Sequence, residues 1–426
     1  MQRYSPYLES LSAQAAAMND LVVDWVKIPS GSYDTTGLSQ MAAKLKAAFS
    51  VLGGECEELA LSPQAAIDSQ GRHCALPLGK ALRIRKRPDA PLQVFLGIHY
   101  DVVYGSAAES RAGSAASSAS AIRLEGRILH ASGAADAKGG LVIMLKALEA
   151  FEASPFAVKV GWEILINPDE ELGSPGSLPL LKDAAARNHL GLLFEPCLPD
   201  GGLVGARKGS GNFTAVVRGR ASHAGRDPHL GRNAIHALAE FIVDLDRFGK
   251  GQGGLTVNVG KVEGGGPVNR VPDLAIARFN LRARGAEDQE AAEAFLQAQA
   301  AAFAKREGFS LEIHGYFTSP PKPLEGGTLA LLDAIGETGG MLGLDLKWHA
   351  SGGVSDGNKL AAAGLPNVDT LGARGGNIHS PAEFLSLDSL PERARLTALL
   401  LMRLGSGELA WPPRTDSSSG QGGEGG

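Results

Sequence analysis

The residues with chemistry to offer fall at the ends of apolar runs. His99-Tyr100-Asp101 follows Val94 to Ile98, Asp169-Glu170-Glu171 follows Val158 to Ile166, and Glu195 closes Leu192-Leu193-Phe194. Asp136 sits in the glycine-rich stretch 133–140, just before a helical pattern, and His379 lies in Gly375-Gly376-Asn377-Ile378-His379-Ser380. In an open parallel sheet the carboxyl ends of the strands face one crevice, so these side chains can converge there. Two imidazoles and several carboxylates in one crevice make a zinc-type ligand set. The surplus of carboxylates suits two ions that share a bridging oxygen ligand. Taken singly, each residue has an ordinary structural explanation as a satisfied polar group, a solvated turn or a helix N-cap. Their joint placement at strand and loop ends favours a metal site.

A serine nucleophile is the rival. Gly353-Val354-Ser355-Asp356-Gly357 fits the G-x-S-x-G elbow, with Asp369 and His379 following in the expected order. Ser355 and His379 are too close in sequence for the elements that normally separate elbow from histidine, and 346–351 is a poor strand. The Gly209-Ser210-Gly211 loop fails the dinucleotide fingerprint, because Thr214 stands where the third glycine belongs.

The elements that must position these residues alternate in type. Residues 8–27 and 37–52 read as helices, and 141–152 as a helix with Leu141, Met144, Leu145 and Leu148 on one face. Set between the strands named above, they imply an α/β fold with a mostly parallel sheet and helices on both faces. From about 208 the pattern changes to a strand at 213–218, a helix at 233–248, strands at 255–262 and 274–283, a helix at 286–305 and a strand at 310–317. That is an inserted α+β unit. The expected division is 1–207 and 319–412 for the metal-binding domain, 208–318 for the insertion, and a disordered tail at 413–426. Ser319-Pro320-Pro321-Lys322-Pro323 reads as the exit linker.

The 426 residues suit two domains at roughly 100 to 200 residues each. Net charge is −5 with no basic block, which argues against nucleic acid or anionic membrane as partners. Cys56, Cys74 and Cys197 form no paired framework, and no apolar run of about 20 residues occurs, so a cytoplasmic, soluble protein is expected. Glycine is in excess, 56 residues, and many of them flank the proposed ligands, as turn chemistry around a crowded site requires.

From Leu21 to Leu404 the chain resembles the di-zinc amidohydrolases and exopeptidases, which include glutamate carboxypeptidase, acetylornithine deacetylase, succinyl-diaminopimelate desuccinylase, aminoacylase and carnosinase-type dipeptidases. His99-x-Asp101, the Asp136 motif, Asp169-Glu170-Glu171-x-Gly173, Glu195-Pro196, Ser222-His223-Ala224-Gly225 and His379-Ser380 occur in the family's order. The glutamate carboxypeptidase-like bacterial members are the most similar in pattern. The resemblance implies two zinc ions per subunit, with cobalt or manganese as substitutes. Asp136 would bridge them, His99 and Glu195 would complete one, and Glu171 and His379 the other. Asp101 would orient His99, and Glu170 would be the general base for a water between the ions. The insertion would form a homodimer, from which His223 stabilises the oxyanion. Asn269, Arg282, Lys322 and Gly353 would contact substrate, with Lys322 standing where relatives often carry arginine. The implied reaction is cleavage of an amide in a small N-acyl amino acid or peptide bearing a free carboxylate. N-carbamoyl amino acid hydrolysis or dipeptidase action on the same fold is the alternative, ahead of a serine hydrolase or an inactive binding homologue.

Overall fold

A strand that is apolar at every position must be covered on both faces. In the computed structural model the strand Leu92–His99 is buried in this way: Val94, Leu96 and Ile98 pack into one cluster and Phe95 into another. The structure describes residues 1–103 and 122–412, so the tail expected at 413–426 lies outside the described residues. Leu92–His99 lies within a six-stranded sheet whose order is Glu55–Ala60, Lys80–Lys86, Val160–Asn167, Leu92–His99, Leu190–Leu193 and Asn367–Val368. The last four run parallel, as expected. Lys80–Lys86 and Glu55–Ala60 extend the sheet antiparallel, each to its inner neighbour.

One face is covered by Gly140–Glu152 and Ser389–Ser406, both mostly buried, together with the amino-terminal helices. The other is covered by Leu178–Arg187 and Asp356–Ala362 through Leu181, Ala184 and Leu360. The first expected helix is two, Ser5–Ala13 and Ala15–Val26, parted at Gln14. The second runs Thr35–Phe49, capped by the Asp34 carboxylate, which accepts from Thr36 N and Gly37 N.

Thr256–Gly264, Leu274–Ala283, Gly209–Arg218 and Ser310–Ser319 form a second, antiparallel sheet of four strands. Ala234–Gly251 packs on it through Ala237, Leu238, Phe241 and Leu245, the spacing of one helical face. Ala286–Ala304 adds Ala292, Leu296 and Phe303 to the same cluster. A hairpin, Gln64–Ile67 with His73–Leu76, touches this sheet: Ile67 packs on Val216 and Ile276, and Arg278 Nη2 donates to the Ile67 carbonyl at 2.7 Å. Neither this hairpin nor Glu55–Ala60 was expected.

Two smaller sheets bear on the site. Trp348–Ser351 pairs in parallel with Leu203–Arg207, which corrects the reading of 346–351 as a poor strand. Gly375–Gly376, Phe384–Ser386, Ile128–His130 and Arg123–Glu125 form a small antiparallel sheet that ties the His379 loop to the segment leading into Asp136.

Candidate metal centre

The parallel strands end together. His99 is the last residue of its strand, Glu170 and Glu171 begin a short turn just after Val160–Asn167, and Glu195 follows Leu190–Leu193. Glycine lets the neighbouring chain close on this edge. A Cβ at Gly140 would stand 2.1 Å from the Phe194 carbonyl oxygen and one at Gly372 2.2 Å from the same atom, so neither position tolerates a side chain beside Glu195. Asp136 enters from an irregular turn with φ −115° and ψ 85°, and the Asp136–Ala137 peptide is cis. His379 enters from its loop with φ +58°, a left-handed conformation that side chains rarely adopt.

These five residues converge. Asp136 Oδ1 lies 3.0 Å from His99 Nε2, and Asp136 Oδ2 lies 3.1 Å from His379 Nε2. Glu195 Oε2 is 3.5 Å from His99 Nε2, and Glu171 Oε2 is 3.1 Å from His379 Nε2. One carboxylate thus stands between two imidazoles, each with its own second carboxylate. Donors around a tetrahedral ion with bonds of about 2.0–2.1 Å sit roughly 3.3 Å apart. The spacings of 3.0 to 3.5 Å therefore fit donors gathered around shared cations. The nitrogen and oxygen donor set is the one zinc prefers, and ligand atoms of His99, Asp136 and Glu171 all lie within 4.8 Å of one another.

Asp101 organises the cluster from behind. His99 Nδ1 lies 3.0 Å from the Asp101 backbone carbonyl and 3.2 Å from Asp101 Oδ1, and the carboxylate accepts from Ser32 Oγ at 2.7 Å and from the Glu170 and Glu171 backbone nitrogens at 3.2 Å each. Acceptors behind a ligating histidine, here the carbonyl and carboxylate of Asp101, fix which ring nitrogen faces the metal. Asp169, the first acidic residue of the same run, serves the backbone instead. Its buried carboxylate accepts from Gly176 N, Ser177 N and Ser177 Oγ and holds the turn, and burial pushes it up to about 6.

Burial and crowding shift the titration of Asp136, Glu170 and Glu171. Burial, then the neighbouring Glu195, pushes Glu170 well above the usual carboxylate range, and burial followed by Asp136 pushes Glu171 up to about 7. Burial also works to raise Asp136, but hydrogen bonds from His379 and His99 outweigh it and hold it below the usual range. Hydrogen bonds to Asp136 and Glu171 raise His379 to about 11.

The other expected residues are placed differently. Lys322 requires a correction. Its side chain is wholly buried, with Nζ 2.9 Å from Asp369 Oδ2 and 2.8 Å from Asn367 Oδ1, so it cannot reach a substrate carboxylate. Arg207 grips the same Asp369 through two nitrogens at 2.8 and 2.9 Å. Ser355 caps the helix Asp356–Ala362 and donates to Asp369 at 3.0 Å, while His379 pairs with Asp136 and Glu171 instead. No serine triad forms from these three.

Arg282 is half-buried and donates to the Gly352 carbonyl at 2.8 Å, beside Gly353, whose own carbonyl accepts from Arg207 at 3.2 Å. His223 and Asn269 are exposed, and among the described residues neither makes a hydrogen bond to the cluster. His223 Nδ1 accepts from Gly225 N and Arg226 N, so its neutral ring carries the proton on Nε2. Ser32, Arg207 and Glu383 escaped the sequence reading, since each acts through a partner far away in the chain. The one available signal was that Glu383 follows His379 closely and directly precedes an apolar strand.

The family model for peptidase family M20/M25/M40 matches residues 95–403, and the chain belongs to that family. Carboxypeptidase G2 of Pseudomonas sp. (strain RS-16) is 29% identical over 291 residues, covering 67% of this chain and 69% of that protein. Succinyl-diaminopimelate desuccinylase of Nitrosospira multiformis is 28% identical over 334 residues, covering 75% and 85%. Among solved structures, human carnosine dipeptidase 1 covers 95% of this chain and 100% of its own at 15% identity, with a TM-score of 0.71. A metallo-carboxypeptidase of the family from Sulfolobus solfataricus covers 90% and 98% at 19% identity, with a TM-score of 0.67. The protein is accordingly a metal-dependent hydrolase of amide bonds in small acyl amino acids or peptides. No helix among the described residues is long and apolar enough to cross a membrane.

Proposed function

We propose that this chain is a cytoplasmic di-zinc amidohydrolase that removes an acyl or aminoacyl group from a small amino acid or peptide with a free carboxylate. The observation that carries the reading is Asp136, which offers one oxygen to His99 and the other to His379. His99 and Glu195 would complete one ion site with Asp136, and Glu171 and His379 the other. Ions held there would polarise the scissile carbonyl and bring the pKa of a water toward about 7.

Glu170 takes the proton from that water as its oxygen bonds to the carbonyl carbon, and returns it to the nitrogen as the carbon–nitrogen bond breaks. Asp101 keeps His99 oriented and holds the Glu170 and Glu171 backbone in place. His223, with its proton on Nε2, is an oxyanion donor supplied by a second copy of the chain. That role needs a homodimer built through the four-stranded sheet unit, 208–318, set against a catalytic body of 1–207 and 319–412. Its support is that His223 is exposed and bonds to none of the ligands in its own chain.

Arg282 grips the substrate carboxylate, because its planar fork pairs bidentately with such groups. Asn269 and the Gly353 backbone complete the contacts. The three described cysteines are all unpaired, which suits a reducing compartment. The test is a hydrolysis screen over N-acyl amino acids, N-carbamoyl amino acids and dipeptides, with chelation and zinc restoration set beside a serine-directed fluorophosphonate. Loss on chelation, recovery with zinc and indifference to the fluorophosphonate support the reading; the opposite pattern refutes it.

A further inference from the structure

The turn that delivers Asp136 is irregular, with Gly133 at φ +72°, so a regular helical ladder does not serve its N–H groups. One side chain takes three of them. Glu383 is 3% exposed and accepts from Gly133 N at 2.8 Å through Oε2, and from Ala135 N at 2.9 Å and Asp136 N at 3.0 Å through Oε1. Burial pushes the Glu383 carboxyl up to about 7 against the pull of these donors, and three N–H groups converging on one buried side chain make a stiff tie in geometry.

The path of the chain gives this tie a direction. Glu383 directly precedes the strand Phe384–Ser386, which pairs with Gly375–Gly376 on one side and Ile128–His130 on the other. His379 rides on the turn between the first pair, and Asp136 follows the last strand. Glu383 therefore braces the two loops that present Asp136 Oδ2 and His379 Nε2 to each other at 3.1 Å. His99 and Glu195 come from strand ends of the six-stranded sheet, which Glu383 does not touch through any hydrogen bond among the described residues.

We propose that Glu383 is a positioning residue that sets the Asp136–His379 spacing, and with it the affinity for the ion held by Asp136, Glu171 and His379. This rests on the di-metal reading above and adds to it a residue outside the ligand set. Groups that hydrogen-bond behind metal ligands are typically worth about 10- to 100-fold in metal affinity.

The experiment is a stepwise zinc titration against a chromophoric chelator on the full chain. Glu383→Gln keeps an oxygen for Ala135 N and Asp136 N but turns an amide donor toward Gly133 N. It should weaken the ion of Asp136, Glu171 and His379 by about 10- to 100-fold and the other, which shares only Asp136 among the braced residues, by clearly less, and Glu383→Ala should widen that difference. In a His379→Ala background the first of these ions is already lost, so adding Glu383→Gln should cost only the smaller loss seen at the other ion. Wild-type affinity for both ions in Glu383→Gln overturns the proposal, and so does equal weakening of both, which a merely structural role would give. A wild-type chain that takes up no zinc overturns the di-metal reading, and this inference falls with it. If Glu383→Ala fails to fold, Glu383→Gln decides the matter alone.

Discussion

Asp101→Asn is an isosteric change whose consequences can be worked from its contacts. The Asp101 carboxylate meets His99 Nδ1, Ser32 Oγ and the backbone N–H groups of Glu170 and Glu171. An asparagine can leave its oxygen facing His99 and Glu170 N, and its amide can donate to Ser32 Oγ, which accepts as readily as it donates. The Glu171 N–H then faces another donor and is orphaned. Leaving one such buried donor unsatisfied costs about 1–3 kcal/mol, which should appear as lost stability in the metal-free protein. The imidazole of His99 also loses the charge behind it, so zinc affinity should fall about 10- to 100-fold, or about 1.4–2.7 kcal/mol. Thermal unfolding of the metal-free variant and chelator-competition titration read the two effects separately. If the variant melts with the wild type and binds zinc with wild-type affinity, Asp101 does not organise the site as described.

Three further expectations follow from the same contacts. His223→Ala should keep full zinc content and lose about 10²- to 10³-fold in kcat, the usual worth of one oxyanion donor, so an unchanged kcat removes it from the mechanism. Lys322→Met should destabilise the fold by about 3 kcal/mol or more in urea titrations, because it strips a buried partner from Asp369; a raised KM at wild-type stability would restore Lys322 to the substrate. In the metal-free protein Glu171 titrates at about 7 instead of its ordinary value near 4.5, so the folded state holds that proton more tightly. That stabilisation is present below the ordinary value and lost as pH rises through about 7, and His379, raised to about 11, loses its share toward that higher pH. Zinc competes with the same protons, so calorimetry in buffers of different ionisation enthalpy should show proton release on binding and an affinity that rises with pH.

Much of the site was legible because its ligands directly follow strands that are apolar on both faces. Val94 to Ile98 reads as a buried strand without any alternation, and His99 and Asp101 are then placed by simple succession. The helix Ala234–Gly251 announces itself through Asn233, which caps Ile235 N and His236 N. What stayed hidden depends on partners distant in sequence. Lys322 reads as a linker cation that meets the substrate until Asp369, 47 residues on, is folded against it. Glu383 braces backbone 247 residues away from it, in the turn at Asp136. Glu55–Ala60 is an edge strand with a polar, half-exposed sequence, which local patterning does not separate from a loop.

The most direct test of the di-metal site is activity against zinc content in one preparation of the chelator-stripped protein. Hydrolysis of a responsive N-acyl amino acid or dipeptide should be absent at the start, rise with added zinc, and level off at two ions per chain. Asp136→Asn should neither hold both ions nor recover turnover. Full turnover in the stripped protein, or an Asp136→Asn variant as active as the wild type, would contradict a reaction built on Asp136 between two ions.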